Sequence, residues 1–284
     1  METDGGNSLE GSGDSIQEFY ERGLTQVQTL LEEEFGSDET RQYVYRLAFK
    51  GNDVLPKRDL RPKPTTAFQA DQIHRIHGGD EETRQTLLQF AIVVAEYYDI
   101  VDDVIDGDVK PGHEREAIVA LQFLMPVLVR LLHRLGDAAV EYWTWEATEL
   151  AECCVHEPTA DEKQTEAGYL DLLEEQALLR SSVTGLAAVV AGADDEAIER
   201  AEEVGRTVHK LMQFATDLSQ YGSDDDPSNA VAIFDKEAFS SQYQQFKDEL
   251  DETLAAYPEE HASQMRAPWQ DGHVSKYPDE LKHD

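Results

Sequence analysis

The fold is decided by the stretch Leu87-Leu-Gln-Phe90-Ala-Ile-Val-Val-Ala-Glu96-Tyr-Tyr-Asp99-Ile-Val-Asp102-Asp103-Val-Ile-Asp106. Its first part is almost continuously apolar, which predicts a helix buried in a protein core. Asp99, Asp102, Asp103 and Asp106 then follow at i, i+3, i+4 and i+7, so a helix places all four carboxylates on one face. Each neighbouring pair of like charges on that face costs on the order of 0.2–0.5 kcal/mol. The strip therefore either faces solvent or has a positive group beside it.

A magnesium site is the functional interpretation of this strip. Mg²⁺ prefers carboxylate oxygens and keeps several waters, which suits it to bridge a bound diphosphate. The alternative is a solvated acidic face, which is common in very acidic chains. Because the acids close a strongly apolar helix instead of lying on a polar one, we expect these four carboxylates to bind a metal ion instead of merely facing solvent.

The composition limits the class of protein. The 284 residues include 24 Lys+Arg and 59 Asp+Glu, for a net charge of −35, and 40% are hydrophobic. This length allows one large domain or two small ones with a real core. The strong negative field disfavours nucleic acid and anionic membrane as partners. Such an excess of acid also fits a salt-rich cytoplasm, where counterions screen the repulsion.

The start of the chain and its cysteines indicate a soluble cytoplasmic protein. Met1-Glu-Thr-Asp-Gly-Gly is acidic and unlike a signal peptide. We expect no apolar run long enough to span a membrane, and thus no stable membrane insertion. Cys153 and Cys154 are adjacent, which disfavours a structural disulfide and lacks the spacing of a metal site.

Helical periodicity recurs along the chain, and strand-like alternation is missing. It predicts about eight to ten helices in a single all-α domain over residues 15–257. Residues 1–14 form a predicted disordered acidic tail, and residues 258–284 a polar C-terminal tail. The expected helices cover 15–35, 38–50, 67–77, 81–106, 114–135, 138–155, 162–190 with a break near Gly185, 196–221 and 236–257.

Two further segments carry unusual residues. The loop Lys57-Arg58-Asp-Leu-Arg61-Pro62-Lys63 holds four basic residues in a very acidic chain. A functional role for these basic residues and simple pairing with neighbouring acids are equally compatible with the sequence. Charge that develops on a departing diphosphate requires several cations, so a second acidic locus is expected. The candidate for this second locus is Asp217 with Gln213, which lie four residues apart on one helix face. The alternative is that Asp217 is an ordinary acid on the helix surface.

These three segments together resemble the trans-isoprenyl diphosphate synthase (polyprenyl synthetase) family. Asp102-Asp103-Val-Ile-Asp106 matches the first aspartate-rich motif of that family, DDxxD. The loop from Lys57 to Pro62 resembles the upstream KRxRP loop with one extra residue. The segment 213–221 falls where the family has FQxxDDxxDY. Order and spacing agree from about residue 15 to residue 225.

The resemblance implies a class I isoprenoid synthase bundle of helices around a central cavity. It implies a Mg²⁺-dependent prenyltransferase that condenses isopentenyl diphosphate with an allylic diphosphate to a short product such as farnesyl or geranylgeranyl diphosphate. In this family bulky residues four and five positions before the first aspartate limit product length, and here these are Tyr97 and Tyr98. It also implies a homodimer, or a heterodimer with a related synthase. The implied roles are catalysis and metal binding by Asp102, Asp103 and Asp106, and metal binding by Asp217. Substrate binding is implied for Lys57, Arg58, Arg61, Lys110 and Gln213.

Several positions depart from the family pattern. Thr216 and Gln220 replace two of the three aspartates of the second motif, and Lys110-Pro111 stands where the family has an arginine pair. The Lys-Thr pair of a later helix is Glu175-Gln176. These departures motivate one alternative, a catalytically degenerate homologue that acts as a non-catalytic or regulatory subunit of an active synthase. A class I terpene synthase, which ionises an allylic diphosphate without isopentenyl diphosphate, is the weaker alternative.

Overall fold

The computed structural model describes residues 16–48, 64–105, 107–156, 164–221 and 229–270. These residues form eleven α-helices and no β-strand, which confirms the predicted all-α fold. The helices are α1 Ile16–Glu34, α2 Asp38–Ala48, α3 Pro64–Ile76, α4 Glu81–Ile105, α5 Glu114–Leu135, α6 Asp137–His156, α7 Glu166–Val190, α8 Asp195–Gln220, α9 Ala230–Ile233, α10 Lys236–Leu254 and α11 Glu259–Gln270.

Helices α3, α4 and α7 form the centre of the bundle. Each contains a run in which every side chain is buried: 66–74 in α3, 87–96 except Gln89 in α4, and 180–188 in α7. The remaining helices pack around these three, with α1 and α5 against α4, and α6 and α8 against α7. Burying each large apolar side chain contributes roughly 1.5–3 kcal/mol, so these runs account for much of the stability.

The packing of α7 against α8 is unusually close. Gly205 of α8 lies so near α7 that a Cβ atom there would come within 2.6 Å of the carbonyl oxygen of Arg180. Gly185 of α7 likewise leaves space for the hydroxyl of Tyr142 and for Glu202. The break predicted near Gly185 does not occur, because this glycine serves a close contact between helices and α7 continues to Val190.

The C-terminal region differs from the sequence-based expectation of a polar tail after residue 257. Residues 259–270 form α11, which packs on α3 and α10. Ala262, Met265 and Trp269 recur at near-helical spacing and are buried, so one apolar face holds this helix to the bundle. The tails 1–14 and 271–284 lie outside the described residues.

Helix α5 also departs from expectation. By length and composition alone it is apolar enough to cross a membrane, although no such run was expected. One such helix is weak evidence for insertion, and α5 packs against α4 and α6 within the bundle.

Candidate functional site

The C-terminal end of α4 carries the acidic strip. Asp99 and Asp103 are half-buried and Asp102 is exposed, while Ile100 between them in sequence is fully buried. The carbonyl oxygen of Asp103 accepts hydrogen bonds from the backbone N–H groups of residues 108 and 109, at 2.9 and 3.3 Å. Gly107 makes this turn with φ +74°, a conformation that favours glycine. The turn thus ends the helix directly after the acids.

The position of these acids at the C-terminus of a helix carries an electrostatic cost. The C-terminus of a helix carries a partial negative charge, and an acidic side chain there costs about 0.3–1 kcal/mol in addition to the repulsion between neighbours. The last turn of α4 contains no basic residue. Carboxylates crowded at such an end are a donor set that suits a hard divalent cation, so Asp102 and Asp103 fit Mg²⁺.

Part of the predicted site lies outside the described residues: Asp106 and the basic residues Lys57, Arg58 and Arg61. Among the side chains that the structure does describe, no group of three or more Asp, Glu, His or Cys residues is arranged to hold a metal ion. Lys110 is exposed in the turn after α4, where its carbonyl accepts a hydrogen bond from the N–H of His113 at 3.0 Å.

Asp217, the predicted second locus, occupies a very different environment on α8. It is only 4% exposed. Its Oδ2 accepts hydrogen bonds from the hydroxyl of Tyr169 and the backbone N–H of Ala230, both at 2.7 Å, and its Oδ1 accepts one from Nε2 of Gln213 at 2.8 Å. Its carbonyl oxygen accepts a further hydrogen bond from Nδ2 of Asn229 at 3.0 Å. Asp217 therefore connects α7, α8 and the start of α9.

An aromatic cluster encloses this connection. Phe214 lies at its centre, with ring centroids 4.8–5.7 Å from four neighbouring rings. Those neighbours are Tyr169, Phe234, Phe239 and Phe246. Because the cluster and the three donors hold the Asp217 carboxylate, this arrangement favours a structural role for it, and Gln213 serves the same connection.

Arg180 of α7 lies between the two acidic loci, and the search for motifs in the sequence missed it. Its guanidinium Nη2 is 3.3 Å from Sδ of Met212, which precedes Gln213 on α8, and its charge interacts with Asp99 on α4. Helix α7 thereby joins the acidic end of α4 to the region of Gln213 and Asp217. An arginine inside the otherwise mostly apolar and small-residue run 177–190 was the available signal.

Tyr97 and Tyr98, the predicted length-determining residues, are half-buried on α4 next to the acidic strip. Their rings make an edge-to-face pair with centroids 5.4 Å apart. Burial raises the pKa of the Tyr97 phenol, so this side chain stays neutral at physiological pH.

No family model and no curated protein matches this sequence. Solved structures do share its fold. A polyprenyl synthase from Caulobacter crescentus, complexed with calcium and isoprenyl diphosphate, aligns with a TM-score of 0.67 and 16% identity over 93% of this chain and 98% of that chain. For a geranylgeranyl pyrophosphate synthase from Corynebacterium glutamicum the TM-score is 0.65, with 18% identity over 96% of this chain and 98% of that chain.

A deletion mutant of the heterotetrameric geranyl pyrophosphate synthase of mint is more distant. It aligns with a TM-score of 0.58 and 11% identity over 89% of this chain and 99% of that chain. These likenesses confirm the expected isoprenoid synthase type of helical bundle, and at such identities they concern the fold alone.

Proposed function

We propose that this chain is a divergent trans-isoprenyl diphosphate synthase that condenses isopentenyl diphosphate with an allylic diphosphate in a Mg²⁺-dependent reaction. The observation that carries the proposal is the position of Asp102 and Asp103 at the C-terminal end of a buried helix whose own last turn holds no basic residue, in a bundle of this fold. The agreement of the basic loop 57–62 and of the segment 213–221 with the family pattern supports it.

In this proposal the acidic residues bind the metal ion and the basic residues bind diphosphate. Asp102 and Asp103, with Asp106, would hold Mg²⁺, and the chemistry that bound Mg²⁺ supplies is neutralisation of the diphosphate that leaves. Lys57, Arg58 and Arg61 would bind the diphosphate of isopentenyl diphosphate by charge-assisted hydrogen bonds and orient its double bond. Lys110, exposed after α4, is available for a phosphate oxygen. The apolar body of α4 keeps water from a reactive allylic cation.

Product length is proposed to depend on Tyr97 and Tyr98, whose paired rings add bulk one turn before the acids. Changing both to alanine removes this bulk, so we expect the product to gain at least one isoprene unit. Product chain length, measured by mass spectrometry, tests this role, and an unchanged product would contradict it.

An oligomer is proposed on the basis of an exposed apolar stripe. Ile118, Met125 and Val129 of α5 are 49%, 44% and 45% exposed and recur at i, i+7 and i+11, and Trp145 of α6 is 71% exposed. Exposed apolar side chains that share a helix face are typical of a protein interface. A homodimer or a heterodimer with a related synthase would cover them.

The working environment is proposed to be a salt-rich cytoplasm. At a net charge of −35 the chain repels itself, and dissolved salt screens that repulsion. We expect the melting temperature to rise with the KCl concentration, whereas a flat response would contradict salt adaptation.

A second candidate is a catalytically degenerate subunit that regulates an active synthase. The hydrogen bonds around Asp217 favour it, because they occupy the only aspartate left in the second motif. The mint synthase is heterotetrameric, so an assembly of unlike chains occurs in this fold.

One experiment separates these candidates. The purified protein is incubated in KCl with Mg²⁺, labelled isopentenyl diphosphate and an allylic diphosphate, alone and with a co-purified synthase. An elongated diphosphate from the chain alone supports the leading proposal. Pyrophosphate released with a hydrocarbon or an alcohol would indicate a terpene synthase. A changed product only in the presence of the second synthase would indicate a regulatory subunit.

Asp102→Ala provides the site test, with Glu141→Ala on the exposed face of α6 as the matched control. Loss of a metal-binding carboxylate is expected to lower turnover by at least about 100-fold, which corresponds to about 2.7 kcal/mol. Glu141→Ala should retain wild-type turnover. Full activity of Asp102→Ala would reject the assignment of the site.

A further inference from the structure

Helix α6 is joined to α7 and α8 by four polar side chains, here called the α6 carboxyl cluster: Tyr142 and Glu146 of α6, Ser182 of α7 and Glu202 of α8. The hydroxyl of Tyr142 donates a hydrogen bond to Oε1 of Glu202 at 2.8 Å. The hydroxyl of Ser182 donates one to Oε2 of Glu146 at 2.6 Å. The cluster thus connects three helices, and it has no part in the proposed binding of metal or diphosphate.

The close packing of α7 brings these groups together. Tyr142 crosses α7 at Gly185, where a Cβ atom would overlap the Tyr142 hydroxyl and lie 2.9 Å from Oε1 of Glu202. Ser182 is fully buried about one helical turn before Gly185, and Glu146 follows Tyr142 by about one turn. Two successive turns of α6 therefore each make one contact between a hydroxyl and a carboxyl group.

The carboxyl groups of the cluster are half-buried, and burial raises the pKa of both Glu146 and Glu202 above the ordinary glutamate value. Neighbouring negative charges act in the same direction. Glu149 of α6 acts on both groups, Glu199 of α8 acts on Glu202, and the charge of Glu202 acts on Glu146. The ionised form of the cluster is therefore costly in the folded protein.

Three neighbouring groups oppose this cost only in part. The hydroxyl groups of Tyr142 and Ser182 lower the pKa of the carboxyl groups to which they donate. Arg206 of α8 also lowers both pKa values, but its guanidinium already contacts Glu203 at 3.0 Å and Glu174 at 3.8 Å. Burial and the nearby carboxylates raise the pKa of the Tyr142 phenol, so it remains a donor while the carboxyl groups titrate.

We infer that the α6 carboxyl cluster is a proton-sensitive contact, which holds α6 more tightly against α7 and α8 when its carboxyl groups take up protons. A protonated carboxyl group keeps an oxygen that accepts a hydrogen bond, so the bonds from Tyr142 and Ser182 persist. The repulsion between the glutamates and the cost of burying their charge are removed. The inference goes beyond the proposed function and does not depend on it.

The direction of the pH effect follows from the raised pKa values of Glu146 and Glu202. Above these values both groups are ionised in the folded and in the unfolded chain, and the folded protein bears the full cost. As the pH falls through them, the folded chain binds protons before the unfolded chain does. The contact therefore gains stability until the pH reaches the ordinary value of 4.5. This effect is opposite to that of His74, whose pKa is lowered by burial.

Amide hydrogen exchange of the full chain, followed by mass spectrometry, measures the stability of α6 locally. Peptides from α6 are compared with peptides from α10, which carries no member of the cluster, between pH 5.5 and pH 8 in KCl. The rates are corrected for the intrinsic pH dependence of exchange. In the wild type, the protection of α6 relative to α10 should rise by about threefold or more as the pH is lowered.

Glu146→Gln/Glu202→Gln removes both charges and keeps the size of the side chains. At pH 8 this variant should protect α6 as well as the wild type does at pH 5.5, with no further change as the pH falls. Glu141→Gln, on the exposed face of α6, is the matched control and should keep the wild-type response. Tyr142→Phe removes a donor that lowers the pKa of Glu202, so its response should move to higher pH.

The outcomes decide the inference. A wild-type protection ratio that does not change with pH overturns it. A double variant that keeps the wild-type response, or a Glu141→Gln variant that loses it, also overturns it, because the response would then come from the overall negative charge. Loss of the response in the double variant and its retention in Glu141→Gln support the inference. If the double variant does not fold, each single substitution carries the test and should reduce the response.

Discussion

Two predicted metal-binding sites of this protein, Asp102 with Asp103 on α4 and Asp217 on α8, share the carboxylate group and differ in its surroundings. At the end of α4, Asp102 is exposed and Asp103 half-buried, and the last turn holds no basic side chain. On α8, Asp217 is buried, and Tyr169, Gln213 and Ala230 each donate a hydrogen bond to its carboxylate. Asp102 is open to solvent, whereas the charge of Asp217 is distributed among protein donors. The surroundings of a carboxylate, more than its place in a motif, indicate whether it binds a ligand or holds the fold.

The largest expected effect comes from Asp217→Ala. Its two buried donors, the Tyr169 hydroxyl and the Ala230 N–H, would lose their acceptor at about 1–3 kcal/mol each, and a cavity would remain. We expect the free energy of unfolding to fall by about 3–5 kcal/mol in urea titrations. Asp102→Ala is the control and should change it by no more than about 0.5 kcal/mol. An equal loss of stability in both variants would show that Asp217 is no more important for the fold than Asp102.

Gln213→Leu removes the side chain that donates a hydrogen bond to Oδ1 of Asp217. The hydrogen bond from Gln213 to the charged Asp217 is worth about 1.5–3 kcal/mol, so the substitution should destabilise the protein in the absence of any ligand. In a double-mutant cycle with Asp217→Ala the two effects should be coupled by at least about 0.5 kcal/mol. Purely additive effects, with weaker substrate binding, would instead support the predicted substrate-binding role of Gln213.

His74 extends the comparison to a buried ionisable side chain. It is fully buried in α3, and neither ring nitrogen has a partner among the described residues. Burial lowers its pKa below the usual 6.5, while Asp71 and Asp80 oppose this and Arg84 adds to it. The unfolded chain therefore binds a proton at a pH where the folded chain does not. The stability should be full above pH 6.5 and decline as the pH falls below it.

His74→Leu should remove this decline. For one proton the slope reaches at most about 1.4 kcal/mol per pH unit. Urea titrations between pH 5 and pH 8, with the exposed His133→Leu as control, measure it. An identical pH dependence of His74→Leu and wild type would show that burial alone does not suppress protonation here.

The smallest expected effect belongs to the acidic strip without metal. Asp102→Asn/Asp103→Asn removes repulsion and an unfavourable helix-end charge, so at low salt without divalent ions it should stabilise the protein by about 0.5–1 kcal/mol. In 1 M KCl, where screening extends over only about 3 Å, the gain should nearly vanish.

Added MgCl₂ should reverse the order of stability, so that the wild type becomes more stable than the double variant. At ten times its dissociation constant, Mg²⁺ would stabilise wild type by about 1.4 kcal/mol and leave the double variant unchanged. Equal responses to MgCl₂ would show that Mg²⁺ binds elsewhere.

Local patterns in the sequence were enough to predict α4 and its acidic end. The spacing of Asp99, Asp102 and Asp103 and the apolar run before them depend only on the helical period, so the predicted span 81–106 agrees with Glu81–Ile105. The same reasoning missed α11, because a short helix with few apolar residues resembles a polar tail until Ala262, Met265 and Trp269 meet the bundle.

The residue pattern alone established an all-α chain, the strongly negative field and the place where Asp99, Asp102 and Asp103 share a helix face, since each of these follows from composition or from contacts within one helix. Only the three-dimensional packing decided that Asp217 is held by donors from Tyr169 and Ala230, 48 and 13 residues away in the chain. It also placed Arg180 against side chains of α3, α4 and α8. Such contacts join distant segments, and no local periodicity encodes which side chains will meet there.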